Sequence, residues 1–454
     1  MLRNARIANL AFVVTFALLA GRAHASSGTQ TWLVVSDIHL DPFARAARPS
    51  LFGSDTNLAL FRSALGEMKR RVPNPDLVVI PGDFLAHDFA GRMRGGGTTA
   101  GAVAAMRFVA GAFGRAFPRA RFAVTLGNND APCGDYHTAF GTPYARELAR
   151  VWAPLVGRDG VATDFATSFA AIGSYSAMLP GGATRMVVFD DIPLSALYLG
   201  NCTGSAEPFE ESATAWLRNT LATTPPHTNN VVVMHVPPGF DAFSTEEVRG
   251  FFAWPFLTAD ANAVVKSALG DPAHRVTFAI AGHAHRFDVR LAGEVPIVIV
   301  GSLSPVYHNN PSFYAFDVSA GGRLRDIRTF AFDEWTQAWQ PTRSFDGKWN
   351  VQAVDAAALR GLHDRLGHDE RLRQQWDAAT SGWPSNPHIA WSTWQRRWRI
   401  PWCAQTLLDG GFAGCAGITT RTLLFRVALL LLAAGAGGVL AALAFLFGRR
   451  TSER

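Results

Sequence analysis

Four consecutive apolar residues, Leu77-Val78-Val79-Ile80, run straight into Pro81-Gly82-Asp83. A run with no polar alternation reads as a strand buried on both faces, as in sheets covered by helices. The Pro-Gly pair ends the strand and leaves a carboxylate at its C-terminal end, where open α/β sheets keep their ligand sites. Taken alone, a Gly-Asp step is a turn. Here the layout recurs. Residues 32–36 end in Asp37-Ile38-His39, residues 122–126 in Gly127-Asn128-Asn129-Asp130, and residues 231–234 in His235, while 276–280 lead into Ala281-Gly282-His283-Ala284-His285. Five apolar runs that each finish on Asp, Asn or His constrain the chain to a fold in which strand ends converge.

The first two runs flank residues 57–71, where Leu58, Phe61, Leu65 and Met68 share one helical face. The three segments read as a β-α-β unit, so the sheet is parallel and the fold class α/β. Helices are expected over 102–117, 144–155, 210–222 and 259–269, paired strands at 174–179 and 186–190, and further strands at 295–300 and 313–318. The stretch 95–101, rich in Gly and Thr, reads as a flexible loop. Beyond residue 334 tryptophans crowd among Arg and Gln, which predicts a helical C-terminal subdomain over 335–422, packed on a catalytic body at 26–334.

The two ends predict a compartment. Arg3 and Arg6 precede an apolar run over 7–20, and Ala23-His24-Ala25 offers small residues at a cleavage site, so residues 1–25 read as a secretory signal peptide. Residues 427–447 carry no charge, and a helix of that length, about 31 Å, matches a bilayer core. An anchor over 423–447 is therefore expected, with Arg449 and Arg450 placing the tail, 448–454, in the cytoplasm and the body outside it. Four cysteines suit an oxidising space; of the three possible pairings, proximity favours Cys133 with Cys202 and Cys403 with Cys415. A composition 48% hydrophobic and 17% charged excludes disorder, and the net +6 is scattered rather than gathered among aromatics, so no nucleic-acid partner is expected.

The strand-end residues form a ligand inventory: Asp37, His39, Asp83, Asn128, His235, His283 and His285. Imidazole, carboxylate and amide oxygen suit Zn, Mn or Fe. Two divalent ions about 3.5–4 Å apart need about seven such groups with one carboxylate shared. The expected division gives Asp37, His39 and His285 to one metal, Asn128, His235 and His283 to the other, and Asp83 to both.

Asp37-Ile-His39, Gly82-Asp83, Gly127-Asn128, His235 and Gly282-His283-Ala-His285 together resemble the signature of calcineurin-like metallophosphoesterases, over roughly residues 32–318. The resemblance implies a two-sheet β-sandwich flanked by helices, with a di-metal centre at the strand ends. Asp83-Phe-Leu-Ala-His87-Asp88, His235-Val-Pro-Pro-Gly239 and Asn310-Pro-Ser-Phe313 are similar to motifs of the acid sphingomyelinase-like branch, which includes endopolyphosphatases. Two departures stand out. The short interval between Ala25 and the first strand leads us to expect no saposin module, and Asn129 stands where the family usually has His, as in polyphosphatases.

The implied chemistry is phosphoester hydrolysis. Two cations bring the pKa of a bridging water toward neutrality, creating a hydroxide nucleophile. The leaving group still needs a proton, which an Asn129 amide does not supply; His87, four residues past Asp83, is the expected acid, with His137 a weaker candidate. Asp41 and Asp130 are expected to orient ligand imidazoles, and Asn129 and Asn310 to border the substrate, a phosphorylated small molecule or polymer. Phosphodiester and phosphoanhydride substrates both remain open, as does a catalytically silent fold serving as a binding module.

Overall fold

A computed structural model describes residues 28–418 and 427–432, except 45–46, 94–96, 159–161, 163, 205–207, 248–249, 251, 342–343 and 383–396. The strands used below are β1 Thr29–Val34, β2 Leu77–Ile80, β3 Arg121–Val124, β4 Tyr175–Met178, β5 Thr184–Val188, β6 Asn229–Val233, β7 Val276–Ala281, β8 Asp288–Ala292, β9 Val295–Ile299, β10 Ser312–Ser319, β11 Leu324–Asp333 and β12 Ala338–Pro341. They make two six-stranded sheets, ordered β12-β11-β10-β1-β2-β3 and β8-β9-β7-β6-β5-β4.

Each sheet has a parallel centre. Leu33 pairs with Val78 and Val78 with Phe122 in the first; Val187 pairs with Val232 and Val232 with Ala279 in the second. These are the unbroken apolar runs of the sequence, and all four residues of β2 are buried. Burying a Val or Ile side chain of this kind contributes roughly 1.5–3 kcal/mol. The sheets face each other across one core that joins Leu33 and Val79 to Val233, Phe278 and Ile280, with the Trp32 and Phe278 rings 5.9 Å apart. Helix Leu58–Arg71 caps as its sequence demands: the Asn57 side chain accepts from the Leu60 amide. Helix Thr98–Ala116 starts within the stretch read as a loop, directly after Gly97 at φ 82°.

The C-terminal region is not a purely helical appendage. β12 adds an edge strand to the first sheet, and only then do helices Ala356–His368 and Glu370–Thr380 follow. Trp376 is fully buried and its ring lies 5.0 Å from Trp349 and 6.1 Å from Phe287, so these tryptophans are core residues of the catalytic body. Cys133 pairs with Cys202 and Cys403 with Cys415, the arrangement proximity favoured.

The expected membrane helix needs correction. Among the described residues no helix is long and apolar enough to cross a membrane. Of 427–447 only 427–432 are described, and these are helical. The expected signal peptide and cytoplasmic tail lie outside the described residues.

Candidate metal centre

The parallel strands all deliver their C-terminal ends to the same edge. Asp37 and His39 follow β1, Asp83 follows β2, Asn128 follows β3, His235 follows β6, and His283 and His285 follow β7. Five of these seven, Asp37, His39, Asp83, His283 and His285, sit at positive φ between 40° and 68°. Such backbone costs on the order of 1–3 kcal/mol per residue and persists only where the surroundings hold it. Glycines make the close approach possible. A Cβ on Gly82, at φ 92°, would lie 2.7 Å from the Gly127 nitrogen and 2.8 Å from His235 Nδ1, and one on Gly127 would overlap Asp83 Oδ1.

His39 Nδ1 lies 2.9 Å from the Leu85 carbonyl and His235 Nδ1 2.6 Å from the Pro81 carbonyl. A carbonyl only accepts, so both Nδ1 atoms carry a hydrogen, and both Nε2 atoms, the ligand atoms of a neutral ring, point inward. There the His235 Nε2 meets Asn128 Oδ1 at 3.0 Å and Asp83 Oδ2 at 3.4 Å. The His39 Nε2 meets Asp83 Oδ2 at 3.4 Å and His285 Nε2 at 3.0 Å, and the latter lies 3.5 Å from Asp37 Oδ1. Imidazole nitrogens and carboxylate and amide oxygens crowded this closely repel unless a cation, a proton or a metal ion, lies between them. The residues present therefore fit divalent metals: ligand atoms of Asp37, His39 and Asp83, and of Asp83, His235 and His283, fall within 4.8 Å of one another.

Without a metal, a proton takes that place on His235. Burial pushes Asp37 up to about 7, with Asp83 adding to the rise. Burial works against a charged His235, yet Asp83 overrides it and holds the imidazole up at about 10. Asp83 itself, despite burial, is held well below the usual carboxylate range by His235 and His39. His283 and His285 are driven down by burial. Opposite shifts packed this closely are the pattern that functional sites show.

The remaining candidates take different places. Asp130 does not hold an imidazole; its carboxylate accepts from the amides of Asp83, Phe84, Leu85 and Gly127 at 2.8–3.1 Å, clamping the loops after β2 and β3 together. Asp41 accepts from the amides of Phe43 and Ala44 and pairs with Arg92 at 2.7 Å. Asn310 donates to the Gly382 carbonyl at 3.3 Å, which ties its loop to the turn just after helix Glu370–Thr380. Asn129 donates from its side chain to Asp83 Oδ2 and from its amide to Asp83 Oδ1, both at 2.8 Å, which fixes the shared carboxylate. His87 stacks on His39 with centroids 4.0 Å apart. His137 lies against the Asp135 carbonyl at 3.0 Å.

Three participants escaped the sequence reading. Asp55 is buried and takes His87 Nδ1 at 2.7 Å and the His87 amide at 3.0 Å. Asp191 accepts from the amides of His235 and Val236. Tyr307 brings its hydroxyl 3.4 Å from His87 Nε2. Asp55 and Tyr307 end no apolar strand, so no local signal marks them; Asp191 closely follows the apolar run 186–189, a signal that could have found it.

The sequence profile of the calcineurin-like phosphoesterase family matches residues 31–287, more than half of the chain. This chain belongs to that family. It is a metal-dependent phosphoesterase, and every strand-end ligand candidate lies inside the matched stretch. Among curated proteins the phosphoesterase is similar to sphingomyelinase phosphodiesterase D of Dictyostelium discoideum, 24% identical over 353 residues covering 73% of this chain and 75% of the relative. Among solved structures it is similar to GAP50, the anchor in the inner membrane complex of Plasmodium, at 10% identity and TM-score 0.38, covering 69% and 89% of the two chains. A 5'-nucleotidase precursor from Thermus thermophilus matches at 14% identity and TM-score 0.33, covering 75% and 59%.

Proposed function

We propose that this phosphoesterase hydrolyses a phosphodiester at a two-metal centre held by Asp37, His39 and His285 on one side, Asn128, His235 and His283 on the other, and Asp83 between. The observation that carries the reading is the inward convergence of ligand atoms, His235 Nε2 on Asn128 Oδ1 and His39 Nε2 beside Asp83 and His285. Two divalent cations bound there supply an activated water and offset the charge of the phosphate oxygens.

The protein's own groups do the rest. Asn129 fixes both oxygens of Asp83, so the shared carboxylate keeps one orientation. Asp55 holds Nδ1 of His87 and leaves Nε2 beside the Tyr307 hydroxyl. Burial disfavours a charged His87, but the Asp55 hydrogen bond and charge override it and raise its pKa. A protonated Nε2 donates to the leaving oxygen, the acid role that the amide of Asn129 does not fill. One observation favours a second reading of His87: its ligand atom lies within 4.8 Å of those of His39 and His285, so it is also placed to bind a metal. The test is His87→Ala with bound metal counted and two leaving groups compared. Two metals retained, with loss confined to the poor leaving group, supports the acid; loss of one metal supports the ligand.

Two disulfides joining all four cysteines support an exported protein, because such bonds persist in oxidising compartments. Protease protection of the tagged chain in intact cells tests this; a wholly cytoplasmic pool would overturn it.

A further inference from the structure

The Asn129 side chain is engaged with Asp83, so contacts to the substrate's organic part have to come from elsewhere around the opening. Two phenols stand there, each against a different ligand histidine. Tyr307 lies edge-on to His285, centroids 4.7 Å apart at 76°, and edge-on to His87 at 5.6 Å, while remaining 43% exposed. Tyr136 lies edge-on to His283 at 6.1 Å and 87°, beside Phe256, whose ring meets the same histidine at 5.4 Å.

Tyr136 is held in place at a cost. Its φ is 56°, a conformation a bulky residue adopts only under constraint. The constraint is visible: its amide donates to the carbonyl of Asn128 and its carbonyl accepts from Leu199, both at 2.8 Å. Leu199, bonded to Tyr136 through that carbonyl, is 68% exposed, and Trp254, two residues before Phe256, is 37% exposed.

The charges beside these rings are of the wrong sign for a polyanion. Asp55, Asp135 and Asp241 all bear on Tyr307, whose phenol burial and these acids push up to about 12. Arg92 is tied to Asp41 and Asp55 at 2.7 and 3.2 Å, and Arg286 lies over the Phe243 ring at 4.3 Å. A chain of phosphates leaving the cluster would run along carboxylates; an uncharged flat group would lie against rings.

We propose that Tyr136 and Tyr307 are specificity-determining residues that receive the uncharged aromatic or apolar ester group of an organic phosphodiester and disfavour polyphosphate chains. This rests on the phosphohydrolase reading above and narrows it. The test uses the full-length metal-loaded protein, with bis-p-nitrophenyl phosphate and inorganic tripolyphosphate as probes. The wild type is expected to favour the diester in kcat/KM by about 100-fold. Tyr136→Ala and Tyr307→Ala are each expected to shrink that preference about 10-fold, chiefly through KM, while Tyr307→Phe and Tyr136→Phe, which keep the rings, retain most of it. Equal or better turnover of tripolyphosphate overturns the proposal, as does a loss of the same factor on both probes in the alanine variants. No turnover of either probe, with two metals bound, overturns the phosphohydrolase reading itself.

Discussion

Asp83 is where the charges of the site meet. Its Oδ2 lies 3.4 Å from the Nε2 atoms of both His39 and His235, and its other contacts are donors from Asn129. Asp83→Asn keeps the shape and removes the anion, so in the proposed two-metal centre both cations lose a shared ligand. The expected result is metal content below one per chain by elemental analysis and kcat/KM down by about 1,000-fold or more on bis-p-nitrophenyl phosphate. Asp55→Asn tests a subtler role. An amide in place of the carboxylate can no longer accept the His87 Nδ1 hydrogen through a charge, so the ring loses its preferred tautomer and orientation. A loss of about 10–100-fold is expected on a poor leaving group, with a smaller loss on p-nitrophenolate, in parallel kcat/KM measurements.

At the scale of elements, one carboxylate joins two strands of a sheet through their loops. Asp130 accepts four backbone hydrogens from the turns after β2 and β3, and it is 1% exposed. Asp130→Ala leaves those amides buried without partners, each at a cost of about 1–3 kcal/mol if no water enters. A fall in stability of at least about 3 kcal/mol is expected by urea titration, together with loss of metal, because the same turns carry Asp83 and Asn128. The disulfide Cys133–Cys202 spans a sequence separation of 69 residues. Cys133→Ser with Cys202→Ser should lower stability by about 4 kcal/mol on a chain-entropy argument, read as a lower midpoint in thermal unfolding.

Over the whole molecule, the C-terminal helices are part of the catalytic body's support. Helix Glu370–Thr380 receives the Phe287 amide on its Thr380 carbonyl at 2.9 Å, just past His285, and the Asn310 amide meets the Ser381 carbonyl at 3.0 Å. Asp377 on that helix is 1% exposed, neither side-chain oxygen has a hydrogen-bond partner, and burial pushes it up to about 8 against the pull of Arg286. The folded carboxyl thus holds its proton more tightly than the unfolded one, whose pKa is about 3.9. Its contribution to stability is whole below about pH 4 and is lost as pH rises to about 8. Asp377→Asn, which stays neutral, should gain stability on the wild type across that window, seen as diverging unfolding midpoints between acid and mildly alkaline buffer. Parallel curves would show that Asp377 stays charged throughout.

The sequence by itself determined the parallel α/β core and the set of strand-end ligand candidates. Both rest on local chemistry: an apolar run is a buried strand wherever it lies, and a Gly-Asp or Gly-His step at its end is a turn that leaves a polar side chain there. The structure placed those seven residues at one edge because parallel strands all end on the same side. It decided what local pattern does not encode. Asp55 reaches His87 from 32 residues away, the Pro81 carbonyl orients His235 across 154, and Tyr307 meets His87 across 220. Asp41, Asp130 and Asn310 look like site residues from their neighbours in sequence, yet backbone amides, an arginine and a helix end claim them instead. Apolarity over 427–447 was equally local, and among the described residues no helix long enough to cross a membrane follows from it. Contacts between distant segments depend on where the sheets and helices pack, and packing is a property of the whole fold.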